Sequence, residues 1–166
     1  MRQKRVLLSG ATYHVIARVN RGEYILTAPM VKTILLLTIR RAKGRYAFRV
    51  ESLCIMDNHI HLMIRPQDGE SLSRIMQWIL SVFALRYNRI LGLKGHVWYD
   101  RFKSVVIRSQ SQFAAVFRYI LQNPVRAGLV REIRQYKYGI FGLIRCGPEG
   151  IVDTPLGVAE SYLTER

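Results

Sequence analysis

Two β-favouring runs lie almost end to end in this chain, Tyr46 to Met56 and His59 to Arg65, with only Asp57-Asn58 between them. A turn that short joins two strands only as an antiparallel hairpin. Everything before and after must then extend that hairpin at its edges or cover its faces. Upstream, Thr12 to Val19 reads as a first strand and Asn20 to Glu23 as a turn. Pro29 to Arg41 reads as a helix: proline suits its start, Arg40 to Lys43 suit its C-terminal dipole, and Gly44 stops it.

Downstream, Pro66 to Gly69 breaks the chain, and Ser71 to Leu91 reads as a long helix. Ser71 or Ser73 can cap it, and Leu72, Ile75, Met76, Ile79, Val82, Phe83 and Tyr87 form its apolar stripe. After a Gly92–Gly95 loop, Val97 to Ile107 reads as strand. Ser109 or Ser111 then caps a helix running to Gln122, and Pro124 disfavours helical geometry at Asn123, so that residue is expected at the helix end. The order β-α-β-β-α-β-α predicts an α+β fold: a single antiparallel-rich sheet flanked by helices, of the split βαβ (ferredoxin/RRM-like) kind. Residues 1–135 are expected to be the working domain. Residues 136–166, glycine-rich and proline-containing, are expected to be a C-terminal appendage of uncertain order with a short helix near the end.

The 166 residues suit one domain with a substantial core. Lys plus Arg number 26 against 11 acidic residues, a formal charge of +15. The excess runs along the whole chain, and a polyanion is its expected partner, because each phosphate neutralised releases a counterion. A ribosome-like or simply soluble basic protein is the alternative. The two cysteines, Cys54 and Cys146, have no CxxC spacing and read as buried thiols in a reducing compartment. The start, Met1 to Ser9, has too short an apolar run for a signal peptide. The longest apolar run, around Ile34 to Leu37, falls far short of the roughly 20 residues of a membrane span. A cytoplasmic, nucleoid-associated protein with no membrane partner is the expectation.

His59 and His61 are two apart in a strand, so both project from one face while Ile60, Leu62 and Ile64 project from the other. Two imidazoles so placed can hold a metal, or can be an ordinary polar pair. Tyr119 and Asn123 are four apart and share one face of a helix. An Asn carbonyl can ligate a hard cation, and two histidines plus one oxygen leave positions open for a phosphate, which suits Mg²⁺ or Mn²⁺. Each half also has a plainer reading: Tyr119 as an aromatic packed on the sheet, Asn123 as a helix-terminal residue before a proline. Together they permit more. A phenol attacks phosphorus poorly at neutral pH, and a divalent cation assists by polarising and orienting the phosphate. Attack by Tyr119 would leave a 5′-phosphotyrosine link and a free 3′-hydroxyl, and needs no nucleotide cofactor.

Trp98, Tyr99, Arg101, Phe102, Lys103 and Arg108 interleave aromatic and basic groups, as suits unpaired bases and phosphates or, equally, a half-buried strand with a basic outer face. Arg18, Arg21, Arg65, Arg118 and Arg126 complete the candidate DNA contacts. His14 is a possible accessory with a structural or phosphate-contact role, and His96 is assigned none.

Met56-Asp57-Asn58-His59-Ile60-His61-Leu62 resembles the histidine–hydrophobic–histidine motif of the HUH tyrosine transposases. Arg118-Tyr119-Ile120-Leu121-Gln122-Asn123-Pro124-Val125-Arg126-Ala127-Gly128 resembles the tyrosine helix of one branch, the REP-associated tyrosine transposases. Tyr13-His14-Val15 with Asn20-Arg21-Gly22, and Tyr99-Asp100-Arg101-Phe102-Lys103-Ser104, resemble two further segments of that branch. The resemblance spans roughly residues 12–130. It implies Tyr119 as nucleophile, His59, His61 and Asn123 as holders of a divalent ion, and single-stranded DNA with hairpin-forming repeats as substrate, cut near the hairpin foot and rejoined. It leaves monomer or homodimer open. Where the branch often carries a Trp-Ser-Ser-type segment, this chain has Tyr136-Lys137-Tyr138-Gly139-Ile140. Two other readings stay open from the residues: a nucleic-acid-binding module without catalysis, and a replication or relaxase-like nickase using the same chemistry.

Overall fold

The computed structural model describes Leu8 and residues 10–164. The basic start weighed as a leader lies, apart from Leu8, outside the described residues. The elements are β1 (Thr12–Arg18), α1 (Pro29–Lys43), β2 (Phe48–Ile55), β3 (His59–Pro66), α2 (Leu72–Leu91), β4 (Lys103–Ile107), α3 (Gln110–Arg126), α4 (Ile140–Cys146) and α5 (Leu156–Thr164). The strands form one sheet in the order β2-β3-β1-β4, with every neighbouring pair antiparallel. This is the expected α+β class. β1 and β3 are central, so the two histidines of β3 sit mid-sheet.

Alternation gives the sheet two different faces. On one, Tyr13, Val15 and Ala17 of β1 and Ile60, Leu62 and Ile64 of β3 are buried against Leu35 and Ile39 of α1 and Ile75, Ile79 and Phe83 of α2. On the other, Cys54, Met56 and Met63 meet Phe117, Ile120 and Leu121 of α3. The two helices on the first face therefore leave His59 and His61 to the second.

The helix ends follow local chemistry. Ser71 caps α2, accepting from Arg74 N, and Ser109 caps α3, accepting from Gln112 N at 3.1 Å. α3 does not stop at Gln122. It runs through Pro124 to Arg126, and Ala127 N closes its last turn on Asn123 O. A proline there forfeits its backbone donor and crowds the carbonyl four residues back, and the helix continues with the Pro124 ring buried in the core. The strand expected from Val97 begins only at Lys103. Trp98 donates its indole N–H to Leu80 O and makes a single antiparallel bridge with Val19, flanked by Asn20 N to Val97 O and Tyr99 N to Arg18 O, and the chain then bends before the ladder resumes.

Residues 136–166, expected as an appendage, contribute Tyr136, Ile140, Phe141 and Ala159 to the second core. The Tyr136 hydroxyl donates to Ile55 O at 2.6 Å, tying this segment to β2. Thr154 Oγ1 donates to Glu51 O, and Glu51 is the extra residue where the β2–β3 register shifts between Val50 and Ser52. Of the two thiols expected to be buried, Cys54 is and Cys146 is exposed, because it ends α4 on the solvent side.

Candidate active site

The second face of the sheet carries a polar row at the Arg18 end of β1. Antiparallel partners project from the same side, and Arg18 pairs with His59, Ile16 with His61, and Lys103 with Ile16. α3 crosses this face with Phe117, Ile120, Leu121 and Pro124 turned into the core. Its flank bearing Tyr119, Asn123 and Arg126, at spacings of four and three, borders the histidines.

The rings make a tight cluster. His59 Nε2 and His61 Nε2 are 3.1 Å apart. His61 Nδ1 lies 3.0 Å from His14 Nε2, and those two rings stack with centroids at 5.2 Å. The Tyr119 ring stands edge-on to His61 at 5.4 Å and to His14 at 6.0 Å. The Arg126 guanidinium lies 5.8 Å over the Tyr119 ring. Tyr119 is 40% exposed, whereas His61 is 2% exposed. The tyrosine is thus open to a large ligand, while the histidine beneath it is fixed.

Burial holds all three imidazoles toward the neutral form. His61 is held down to about 3, first by desolvation, then by the His59, His14 and Arg18 charges, with a side-chain hydrogen bond to Asn123 opposing. His59 is lowered by burial and then by Arg18, and His14 by burial. A neutral imidazole keeps one lone pair for a cation. Asn123 Nδ2 donates to Tyr119 O at 2.8 Å, which leaves the amide oxygen to meet His61. Two imidazole nitrogens and one amide oxygen therefore meet. Donors of a six-coordinate Mg²⁺ or Mn²⁺ at about 2.1 Å stand about 3 Å from one another, which the two Nε2 atoms match. The donor set fits such an ion. Among the described residues, no group of three or more His, Cys, Asp or Glu side chains is arranged to hold a metal. The oxygen comes from an amide, and His14 reaches the opposite nitrogen of His61.

The other predicted residues divide by position. Arg18 flanks His59, and Tyr99, 73% exposed, bonds Arg18 O through its backbone N–H. Lys103 stands one strand over from Ile16 in the same row. Arg21, at φ 54°, lies in the turn after β1, and Arg101 is exposed just before β4. Arg118 precedes Tyr119 on α3 and is half-buried. Arg65 and Arg108 are not part of the cluster. Arg65 lies next to last in β3, ion-paired with the buried Glu51, and Arg108 follows β4 beside Thr12. Sequence reasoning missed Asn58. Its Oδ1 is 2.7 Å from His59 Nδ1, and its place in the two-residue turn was the available signal.

The chain is similar to known proteins. A curated chain of Haemophilus influenzae, named for the REP-associated tyrosine transposases, is 26% identical over 106 residues, covering 58% of this chain and 60% of its own. The present chain thus spans about three-fifths of that relative. A solved REP-associated tyrosine transposase bound to a REP hairpin superposes with TM-score 0.75 at 23% identity, covering 91% of this chain and 89% of its own. A Deinococcus radiodurans structure named after the transposases gives TM-score 0.52 at 16% identity, over 72% of this chain and 95% of its own. At these identities the two structures speak to the fold. A family model described as "Transposase IS200 like" matches residues 8–123, well over half of the chain. The protein belongs to the IS200-like transposase family.

Proposed function

We propose that this protein cuts and rejoins single-stranded DNA beside hairpin-forming repeats, with Tyr119 as nucleophile. The carrying observation is the approach of the Tyr119 ring to within 5.4 Å of His61, where the two Nε2 atoms converge. Oη of Tyr119 attacks phosphorus, the bond to the 3′-oxygen breaks, and the phenol proton leaves with that oxygen. A 5′-phosphotyrosine and a free 3′-hydroxyl result, and attack by another 3′-hydroxyl reverses the step. His59, His61 and the Asn123 oxygen would hold the divalent ion, Mg²⁺ or Mn²⁺, which when bound polarises and orients the phosphate. Arg126, over the phenol ring, favours negative charge as it develops on Oη.

The hairpin as substrate is supported by the REP hairpin held by the structural neighbour and by the basic row Arg18–Lys103 beside the site. Tyr99, exposed at the strand end, is placed to stack on an unpaired base. Arg21, Arg101, Arg118 and Arg126 would contact phosphates near the cut, and Arg65 and Arg108 would contact them at the far end of the sheet.

The test is incubation with hairpin-bearing single-stranded oligonucleotides and Mn²⁺ or Mg²⁺, resolved on a denaturing gel. A metal-dependent protein–DNA adduct is expected, absent in Tyr119→Phe while DNA binding persists. Cleavage without an adduct would make water the nucleophile. Binding without cleavage would leave a nucleic-acid-binding module.

A further inference from the structure

His14 takes no part in the strand-cutting step written above, yet its ring is locked to the site. Its Nε2 is 3.0 Å from His61 Nδ1, its ring stacks on that of His61 at an interplanar angle of 25°, and Tyr119 closes over both.

With no ion bound and all three rings neutral, these contacts, each taken as a hydrogen bond, admit one arrangement of protons. Asn58 Nδ2 donates to Gly22 O at 3.3 Å, so Asn58 Oδ1 is the atom facing His59. An amide oxygen only accepts, so His59 Nδ1 carries the proton and, in a neutral ring, His59 Nε2 is bare. His61 Nε2, 3.1 Å away, must then supply the proton between them. That leaves His61 Nδ1 bare, and His14 Nε2–H donates to it. In this state the Nε2 lone pair of His61 is blocked.

Resting on the divalent-ion reading of the site, we infer that His14 is a positioning residue that lets His61 exchange tautomers, turning its Nε2 into a ligand. When a cation takes both Nε2 lone pairs, the Nε2 proton of His61 leaves to solvent. His61 Nδ1 takes the proton from His14 Nε2, and His14 takes one from solvent at its own Nδ1. Each ring stays neutral, no net proton is gained or lost, and the bond at His14 reverses direction. Without that acceptor, the Nδ1–H of a ring only 2% exposed would be buried with no partner, which disfavours the ligating tautomer. His14 is not itself a third ligand, because it meets the nitrogen of His61 that points away from His59.

Outer partners of ligating histidines are worth about 10–100-fold in metal affinity. The experiment titrates DNA-free protein with Mn²⁺, reading free ion by electron paramagnetic resonance, for wild type, His14→Phe and His14→Gln. His14→Phe keeps a stacking ring and loses the nitrogen, so its affinity falls about 10–100-fold. His14→Gln offers an amide that can accept or donate, so it recovers most of the loss. In wild type with ¹⁵N-labelled histidine, Mg²⁺ moves the His61 proton from Nε2 to Nδ1, a readout that needs no variant to fold. Unchanged affinity in His14→Phe, a His61 proton that stays on Nε2, or ligation shifts at His14 itself would each overturn the inference. Wild type that binds no Mn²⁺ would instead overturn the divalent-ion reading, and the inference with it.

Discussion

His61 is held neutral first by burial and then by neighbouring charges, and that has a measurable cost at low pH. Its pKa is about 3 in the fold against 6.5 ordinarily. Between those values the unfolded chain binds a proton that the folded chain does not, so stability rises with pH across this window. The contribution is complete above 6.5 and is lost as pH falls toward 3, at up to about 1.4 kcal/mol per pH unit. Thermal melts of metal-free protein should therefore fall less steeply for His61→Gln than for wild type between pH 6.5 and 4; parallel curves would show that His61 is not desolvated. The spacing of His59 with His61, and of Tyr119 with Asn123, was readable because strand and helix periods are local. Asn58 and His14 were not assigned their contacts, since those depend on turn geometry and on the register that sets Ile16 opposite His61. A sequence does not display which residues face each other across strands.

At the scale of elements, the helices and the hairpin were legible because their apolar stripes have clean periods. The errors fell where tertiary contacts outrank local preference. Val97 to Phe102 has strand composition, but it keeps only the single bridge of Trp98 with Val19, and bends at residues 99–101 interrupt the ladder before β4. The tail looked irregular because its glycines read as breakers, whereas two of them permit close packing. A Cβ on Gly142 would collide with the backbone of Lys137, and one on Gly147 would stand 2.5 Å from Leu143 O. Gly142→Ala should therefore destabilise the protein by roughly 1–3 kcal/mol, as overpacking against backbone does, even though alanine favours helices. Tyr136→Phe should cost about 1–2 kcal/mol by removing the bond to Ile55 O. Urea unfolding checks both; a Gly142→Ala variant as stable as wild type would mean that α4 is free to shift.

For the whole molecule, the net charge of +15 matters less than which cations are already engaged. Lys32 pairs with Asp57, Lys43 with Asp153, and Arg49 and Arg65 with Glu51. These pairs fasten α1, the hairpin and the tail to one another. Lys103 and Arg18 instead stand exposed in the row beside His59 and His61. The fold thus divides these cations into ion pairs, in which Arg65 keeps one face open at the far end of the sheet, and an exposed row beside the histidines. If DNA follows that row, removing one cation that neutralises a phosphate lowers the slope of log binding constant against log salt by about 0.7 for a single strand. Lys103→Ala should show that decrement, Lys103→Ala with Arg18→Ala about twice it, and Arg49→Ala none. Fluorescence anisotropy of a labelled hairpin oligonucleotide across a salt series, without metal so that no cutting intervenes, measures all three slopes. Equal slopes for Lys103→Ala and Arg49→Ala would mean that DNA does not run along the β1–β4 side of the tyrosine, and would shift its path toward the Glu51 end of the sheet.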